Sequence, residues 1–458
     1  MFIHDLRLAF RSLRRNPILS ALMIGAIAVG IAASMIAITL YHARAGHPIP
    51  WKEDTLFAVT LDTRDDTPPQ SFQRHPEYPP FQVTYRDARA LYASKIPVRA
   101  VMMYRSGQVL APDNRSVKPF HVTTRLTTAD FFTMFDVPFI YGTGWSRAED
   151  DAPGAVVVLS KFMNQKLFGG ANSVGREVIL DGHPYRVVGV MAAWMPQPKY
   201  YDLNSSGSFE IPEDIFMPFG WGQTRKMEPN GNINCVSMRA KIEGFDSLLT
   251  QDCVWLQYWV EFRNRSDRDR YQVFVDNYTN EERKHGRFPR RNNNRIVDVQ
   301  TWLGMYDVVG DDSRMQLALG FVFLGVCVLN TLGLMLAKFL SAAPVSGLRR
   351  ALGARRSDII RQHLIEVIVV GLLGGAVGMA LTLGGLAFLK VLMFSGMLAH
   401  SDNPDRVALV QSFVHMDIPV MAAAIALSLL TGVLAGLYPA YRIGRLAPAT
   451  FLKTQQVR

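Results

Sequence analysis

Four long apolar runs decide what this chain can fold into. Residues 18–41 are 24 positions without one formal charge, and residues 315–337, 364–389 and 418–441 repeat the pattern. At 1.5 Å per helical residue, about 20 residues cross the roughly 30 Å of bilayer hydrocarbon. The second run has only Gln316 and Asn330 as strongly polar members, and the third carries Glu366 in its first turn, within reach of the interface. One such run can be a buried core helix; four predict membrane spans. None holds a charge ladder or paired acids near its middle, as a proton relay or ion path needs.

Charge sets the orientation. The 458 residues carry 49 Lys+Arg against 39 Asp+Glu, a net charge of +10 that by itself would admit nucleic acid as a partner. Its distribution excludes that class: residues 44–314 hold 33 basic and 33 acidic residues, so the excess lies wholly beside the apolar runs. Segments 1–16, 338–361 and 442–458 carry +3, +5 and +4, whereas 394–415 has Asp402 and Asp405 against Arg406. The positive-inside rule therefore puts both termini and the segment 338–361 in the cytoplasm, and 44–314 outside. A hydrophobic content of 49% excludes a disordered chain, and 3 cysteines exclude a disulfide-dense module.

The expected fold is an α+β membrane protein of four transmembrane helices, one N-terminal and three C-terminal, around a large outer α+β domain. Its parts are a cytoplasmic amphipathic helix (1–16), span one (17–43), the outer domain (44–314), span two (315–340), a cytoplasmic segment (341–362), span three (363–393), a short outer loop (394–416), span four (417–441) and a cytoplasmic tail (442–458). The first run is too long for the apolar core of a cleaved signal peptide. Ahead of it, Phe2, Ile3, Leu6, Phe10 and Leu13 fall on one side of a helix and Arg7, Arg11 and Arg14 on another. That suits a helix on the inner membrane surface, or simply arginines that set topology. Asn16 and Pro17 offer an N-cap and a first-turn proline. Small residues recur every fourth position: Ala26, Gly30 and Ser34; Gly371 and Gly375; Gly374 and Gly378; Gly432 and Gly436. Such faces let helices approach closely in lipid, within one helix set or between two chains.

In the outer domain, residues 55–61 and 98–104 read as strands around a helical stretch at 85–94. Far downstream, 253–262 alternates like a strand, 267–284 reads as a helix and 295–301 as a strand. These are two separated βαβ-like units, about 50–122 and 250–305, with a β-rich insert of about 123–249 between them. Inside the insert, 155–159 and 185–190 are β-branched runs, and Asp181-Gly182 signals a hairpin. The Pro- and Gly-rich stretch 196–231 reads as loop. Cys235 and Cys253 both lie outside, where an oxidising setting permits a disulfide; the sequence leaves their separation in space open. The basic stretch 283–295 suits acidic headgroups or a partner, and better a solvated loop beside Glu281 and Glu282.

No phosphate loop, HExxH zinc motif or GxSxG elbow occurs in the sequence. His363 and Glu366 stand three apart on a helix, but without further ligands they read as interface residues.

The order of one span, an outer domain and three spans resembles the FtsX-like, MacB-type permeases of ABC systems, a mechanotransmission family. Three stretches carry the resemblance: 129–190, with ADFFTMFDVPFIYGTGWS and VVVLSKFMNQKLFGGANSVGREVILDGHPYRVVGV; 347–378, GLRRALGARRSDIIRQHLIEVIVVGLLGGAVG; and 436–453, GLYPAYRIGRLAPATFLK. The resemblance implies a non-catalytic permease subunit in the bacterial inner membrane, with a porter-like periplasmic unit and an inserted subdomain. It binds no cofactor itself; a cytoplasmic ABC ATPase in trans, none being fused to this sequence, uses ATP and magnesium. The contact to that ATPase falls on Gly347, Leu348, Arg349, Arg350, Ala351, Leu352, Gly353, Ala354, Arg355 and Arg356. Other implied partners are a second permease, a periplasmic adaptor with an outer-membrane channel, and membrane lipids. Export or extraction of a substrate from the periplasm or outer leaflet is the leading reading. Lipoprotein release, or signalling to a periplasmic cell-wall hydrolase, are the alternatives. One departure stands out. Where the family has a charged run ending in Glu-Ile-Gly, residues 341–347 read SAAPVSG, with no charge and with Pro344 expected to interrupt a continuing helix. That suits one non-equivalent half of a heterodimer, and equally drift in a homodimer of identical permeases.

Overall fold

The computed structural model describes residues 2–64, 77–112, 118–205, 207–235, 242–353 and 355–397, and beyond them 407, 408, 422, 423, 426, 427, 430–433, 436, 437 and 439. The expected tail 442–458, most of the outer loop 394–416 and most of span four lie outside the described residues; those described from 422 to 439 are helical. The chain divides into two compact units, one of Ala45–Val308 with Asn403–Leu409 and the other of Met1–Arg44, Val309–Asp402 and Val410–Arg458.

In the flanking unit, α1 (Phe2–Arg15) stops at Asn16 and α2 (Pro17–Arg44) begins on proline, whose missing N–H costs nothing at a first helical position. Among the described side chains of α1, Ala9 and Leu13, one turn apart, are buried, and Phe10 is exposed along with Arg7, Arg11 and Arg14.

The outer unit follows as β1 (Leu56–Thr60), α3 (Tyr85–Tyr92), β2 (Arg99–Ala111) and β3 (Phe120–Thr127). Next come α4 (Asp130–Met134), β4 (Phe139–Gly142), α5 (Ala148–Asp151), β5 (Val156–Leu159), α6 (Lys161–Phe168), β6 (Glu177–Leu180) and β7 (His183–Met191). After β8 (Ile215–Pro218), α7 (Gly220–Thr224), β9 (Asn234–Cys235) and α8 (Phe245–Thr250) lie β10 (Cys253–Val254), β11 (Gln257–Glu261), α9 (Arg265–Lys284), β12 (Arg295–Asp298) and α10 (Val299–Met305).

The helices start where polar side chains satisfy first-turn amides. Thr84 accepts from Asp87 N, Ser160 from Met163 N and Asn264 from Asp267 N. Asp181 and Gly182, at φ 47° and 79°, make the two-residue turn that joins β6 to β7.

Sheet order explains the two βαβ-like units. β11 lies between β1 and β2, and β1 lies between β11 and β12, so each unit is split by a strand of the other. From β2 the same sheet runs on through β3, β8, β5 and β7 to β4, with β6 bridging β2 and β7. Both faces are covered: Phe57, Val59, Met102, Tyr104 and Val260 join one core, and Leu56, Ala58, Val101, Met103 and Trp259 the other. Such strands read as continuous apolar runs.

Three sequence expectations change here. β8 and α7 lie inside the stretch read as loop, because β8 is only four residues long and ends on a proline. The strand expected over 295–301 ends at Asp298, whose side chain accepts from Thr301 N at 2.9 Å and starts α10. The basic stretch is not simply a solvated loop. Arg287 is 9% exposed and bonds Asp87, Asp252 and Glu282, while Arg283 donates to the carbonyls of Phe288 and Arg290. Cys235 and Cys253 face each other across β9 and β10 and form a disulfide.

Asp150 supplies a pH test of the outer unit. It accepts from Ala129 N at 2.8 Å and Trp145 Nε1 at 3.0 Å, and burial, reinforced by Asp130 and Asp151, pushes its carboxyl up to about 6. The folded state then holds a proton that the unfolded chain releases, so stability falls as pH rises from about 4 to about 6. Asp150→Asn is expected to flatten that fall, by about 5 °C in thermal melts across the window.

After the outer unit the chain enters α11 (Asp311–Ala351) and α12 (Arg356–Met397). Among the described residues, three helices are long and apolar enough to cross a membrane: Pro17–Arg44, Asp311–Ser341 and Arg356–Leu392. Pro344 does not end α11, which continues to Ala351. A proline inside a helix forfeits one backbone bond and costs about 3 kcal/mol, which a helix this long can absorb.

Candidate functional site

The segment marked for coupling is a helical hairpin. Leu352 N donates to Leu348 O at 3.0 Å, and Gly353 turns the chain out of α11 at φ +103°, a left-handed value suited to glycine. At the start of α12, Arg355 N donates to Asp358 Oδ2 at 3.2 Å and Asp358 N to Arg355 O at 3.1 Å. The acid in the first turn also complements the helix dipole. Leu348 and Leu352, one turn apart, are 55% and 80% exposed, beside the exposed Arg355 and Arg356. The side chains of Arg349, Arg350 and Ala351, with Gly347, and the whole of Ala354 lie outside what the structure describes. Among the described residues no three His, Cys, Asp or Glu side chains are grouped to hold a metal.

Some 15–20 Å back along the two helices lies a buried ion cluster. Lys338 Nζ is 2.6 Å from Glu366 Oε1, and Ser12 Oγ donates to the same oxygen at 2.6 Å. Lys338 Nζ also donates to Ser20 Oγ at 3.3 Å, so the cluster joins α1, α2, α11 and α12. His363 Nδ1 stands 3.8 Å from Glu366 Oε2, and its ring packs 4.3 Å from that of Phe339. At 4% exposure Glu366 is paired inside the helix set, where Lys338 supplies the partner that an intramembrane carboxylate needs. Lys338 and Ser12 escaped the sequence reading because their pairing is non-local. The available signal was a lone cation and a lone anion at the edges of neighbouring apolar runs.

Small residues bring these helices together. A Cβ on Gly30 would come within 3.0 Å of Leu324 and Cys327, and Ser34 Oγ donates to Gly320 O at 3.0 Å, so this face of α2 packs on α11. On α12 the contact with α2 falls to Gly374 and Gly378, against Ile27 and Ile31; Gly375 is half-buried. Gly432 approaches Gly371 Cα, and Gly436 lies on Val367.

Comparison with known proteins places these features in a wider group. Residues 20–269 match the MacB-like periplasmic core domain, and residues 317–448 the FtsX-like permease C-terminal domain. The pyoverdine export ATP-binding/permease protein PvdT of Pseudomonas entomophila is 26% identical over 377 residues, covering 81% of this chain and 49% of that protein. The macrolide export ATP-binding/permease protein MacB of an Azoarcus species is 25% identical, covering 98% of this chain and 59% of that protein. The chain spans about half the length of the curated relatives it matches. The periplasmic region of MacB from Actinobacillus actinomycetemcomitans aligns with 57% of this chain and 95% of its own at 14% identity, with a TM-score of 0.35.

Proposed function

The chain belongs to the family of FtsX-like, MacB-type permeases, and on that premise we propose that it is the membrane subunit of an ABC exporter driven by a separate cytoplasmic ATPase. The ATPase binds and hydrolyses ATP with magnesium, and closure of its paired domains pushes on the α11–α12 hairpin. The helices carry that push to the periplasmic domain, which exports or extracts a substrate from the periplasm or outer leaflet. The supporting observation is the hairpin itself: two leucines, 55% and 80% exposed beside arginines, have the make-up of a surface that another protein covers. In this reading the chain sits in the bacterial inner membrane with four spans and both termini cytoplasmic. Its periplasmic domain engages an adaptor and outer-membrane channel; a hydrolase or a lipoprotein carrier in that place would instead mark a signalling or lipoprotein-releasing permease.

The second permease is a non-identical chain in this proposal. Residues 341–347 lack any charge, although the helix-breaking half of that argument falls away with the continuous α11. Affinity purification in mild detergent is expected to recover a distinct ATPase and a second, different permease; an ATPase-active homodimer would overturn the heterodimer. Arg349→Ala with Arg350→Ala is expected to cut stimulation of the ATPase roughly tenfold while the chain still folds. Unchanged stimulation would remove the hairpin as the contact.

A further inference from the structure

α1 shows opposite characters on its two sides. Ala9 and Leu13 are buried, and Ser12, beside them, donates to Glu366 Oε1 of α12 at 2.6 Å. From α2, Ser20 Oγ donates to Leu13 O at 3.2 Å. These contacts fix how the helix is rolled. At 3.6 residues per turn, the exposed Phe10, Arg14, Arg7, Arg11 and Arg15 then follow one another around the opposite side, within an arc of about 140°. What faces outward is guanidinium, with one phenyl ring at the edge of the arc, Phe10 at 46% exposure.

Among the described residues none of these four arginines has an ion pair or a side-chain hydrogen bond. They stand at the spacings where like charges repel along a helix, Arg7 with Arg11 and Arg11 with Arg14 and Arg15. Anions brought from outside relieve that repulsion. The place of α1 in the chain identifies their source. Only Asn16 separates it from α2, whose opening turns expose Ile18 at 76% and Leu22 at 54%, as a lipid-facing helix does. Arg14 and Arg15 therefore stand where hydrocarbon gives way to headgroups.

We propose that the outward arc of α1 binds net-anionic phospholipid headgroups, with the arginine forks on phosphate oxygens and Phe10 lodged between neighbouring headgroups. The proposal rests on the reading that α2 crosses a membrane. A zwitterionic headgroup also offers a phosphate, but its ammonium would meet four unpaired guanidiniums, so the arc selects net negative charge. The acidic face of a protein would satisfy the same charges, yet Ile18 and Leu22 beside them call for hydrocarbon. Ser12 on the inner side holds Glu366, so a bound headgroup bears on the Lys338–Glu366 cluster across the width of one helix.

The test is native mass spectrometry of the full chain, released from a nonionic detergent after mixing with equal amounts of phosphatidylglycerol and phosphatidylcholine. The wild type is expected to retain phosphatidylglycerol roughly fivefold over phosphatidylcholine. Arg7→Gln, Arg11→Gln and Arg14→Gln together should remove most of that preference. The three side chains are exposed and unpaired, so this variant should melt with the wild type. Arg263→Gln, Arg265→Gln and Arg291→Gln together, equally exposed on the outer unit, should leave the preference unchanged. A wild type without preference, an α1 variant that keeps it, or a control variant that loses it would overturn the proposal. So would an α1 variant that retains its lipid but no longer co-purifies with the ATPase, which would assign the arc to that protein. Retained lipid is read without ATPase or nucleotide, so failure here leaves the transport reading to its own test.

Discussion

An Arg125→Met chain is expected to melt with its outer unit about 10 °C below the wild type, and adding Glu213→Gln should recover most of that loss. Arg125 sits on β3 at 0% exposure and bonds both Asp202 and Glu213, each also fully buried. Lys199 Nζ reaches Glu213 Oε1 at 2.6 Å, Tyr201 Oη donates to Glu213 Oε2 at 3.2 Å and Gln257 Nε2 to Asp202 Oδ1 at 3.1 Å. Two cations thus balance two anions away from water. Removing one cation strands a buried charge, at about 3–5 kcal/mol; removing an oppositely charged partner with it restores neutrality. Arg125 Nε and Nη1 have no partner here, so an apolar side chain in its place sacrifices no bonds from those atoms. Burial alone would raise the Glu213 pKa, but Arg125 and Lys199 hold it well below the usual carboxylate range. A depressed carboxylate lends stability above its unfolded value, near 4.3, and loses it as pH falls toward the folded one. On its carboxylate side the network therefore fails in strong acid, the opposite sense to Asp150. Melts of the wild type, the single and the double variant at neutral pH separate stranded charge from lost packing: if the double variant is no more stable than the single one, charge balance is not what matters.

That network also marks where sequence reasoning stops. The three long apolar helices, the Asp181-Gly182 turn and most of α9 are legible because each depends on neighbours in the chain: an unbroken apolar run, a two-residue turn, a helical stretch. β2 is half-legible. Residues 98–104 read as a strand, yet it runs to Ala111 because its far end pairs with β3 and β6, strands that follow it in the chain. Arg125 lies in Phe120–Thr127, where nothing local tells a buried arginine from an exposed one; its partners are 77 and 88 residues away. Of the hairpin, Gly353 and Asp358 announce the turn, and the exposure of Leu352 follows from that turn. The Lys338–Glu366 pair behind it needed the register of two helices, which periodicity alone does not specify.

That pair supports the second large effect. Glu366→Leu is expected to lower the melting temperature of the purified chain in detergent by about 10 °C, because it leaves the Lys338 ammonium buried with Ser20 alone, 3.3 Å away. Hydrogen bonds between membrane helices average only about 0.6 kcal/mol, so loss of the Ser12 bond cannot produce a drop of that size; the stranded charge dominates. Lys338→Met combined with Glu366→Leu removes both charges and should bring the melting temperature back to within about 3 °C of the wild type. The double variant then separates packing from transmission. Ser12 and Ser20 connect α1 and α2 to Lys338 and Glu366, so under the proposed mechanism a push on the hairpin would move four helices together. Without the cluster, α11 and α12 can shift against α1 and α2, and stimulation of the partner ATPase should fall roughly fivefold although the helices remain folded. Full stimulation in the stable double variant would reduce the cluster to a packing device and leave transmission to the glycine contacts of α2 with α11 and α12.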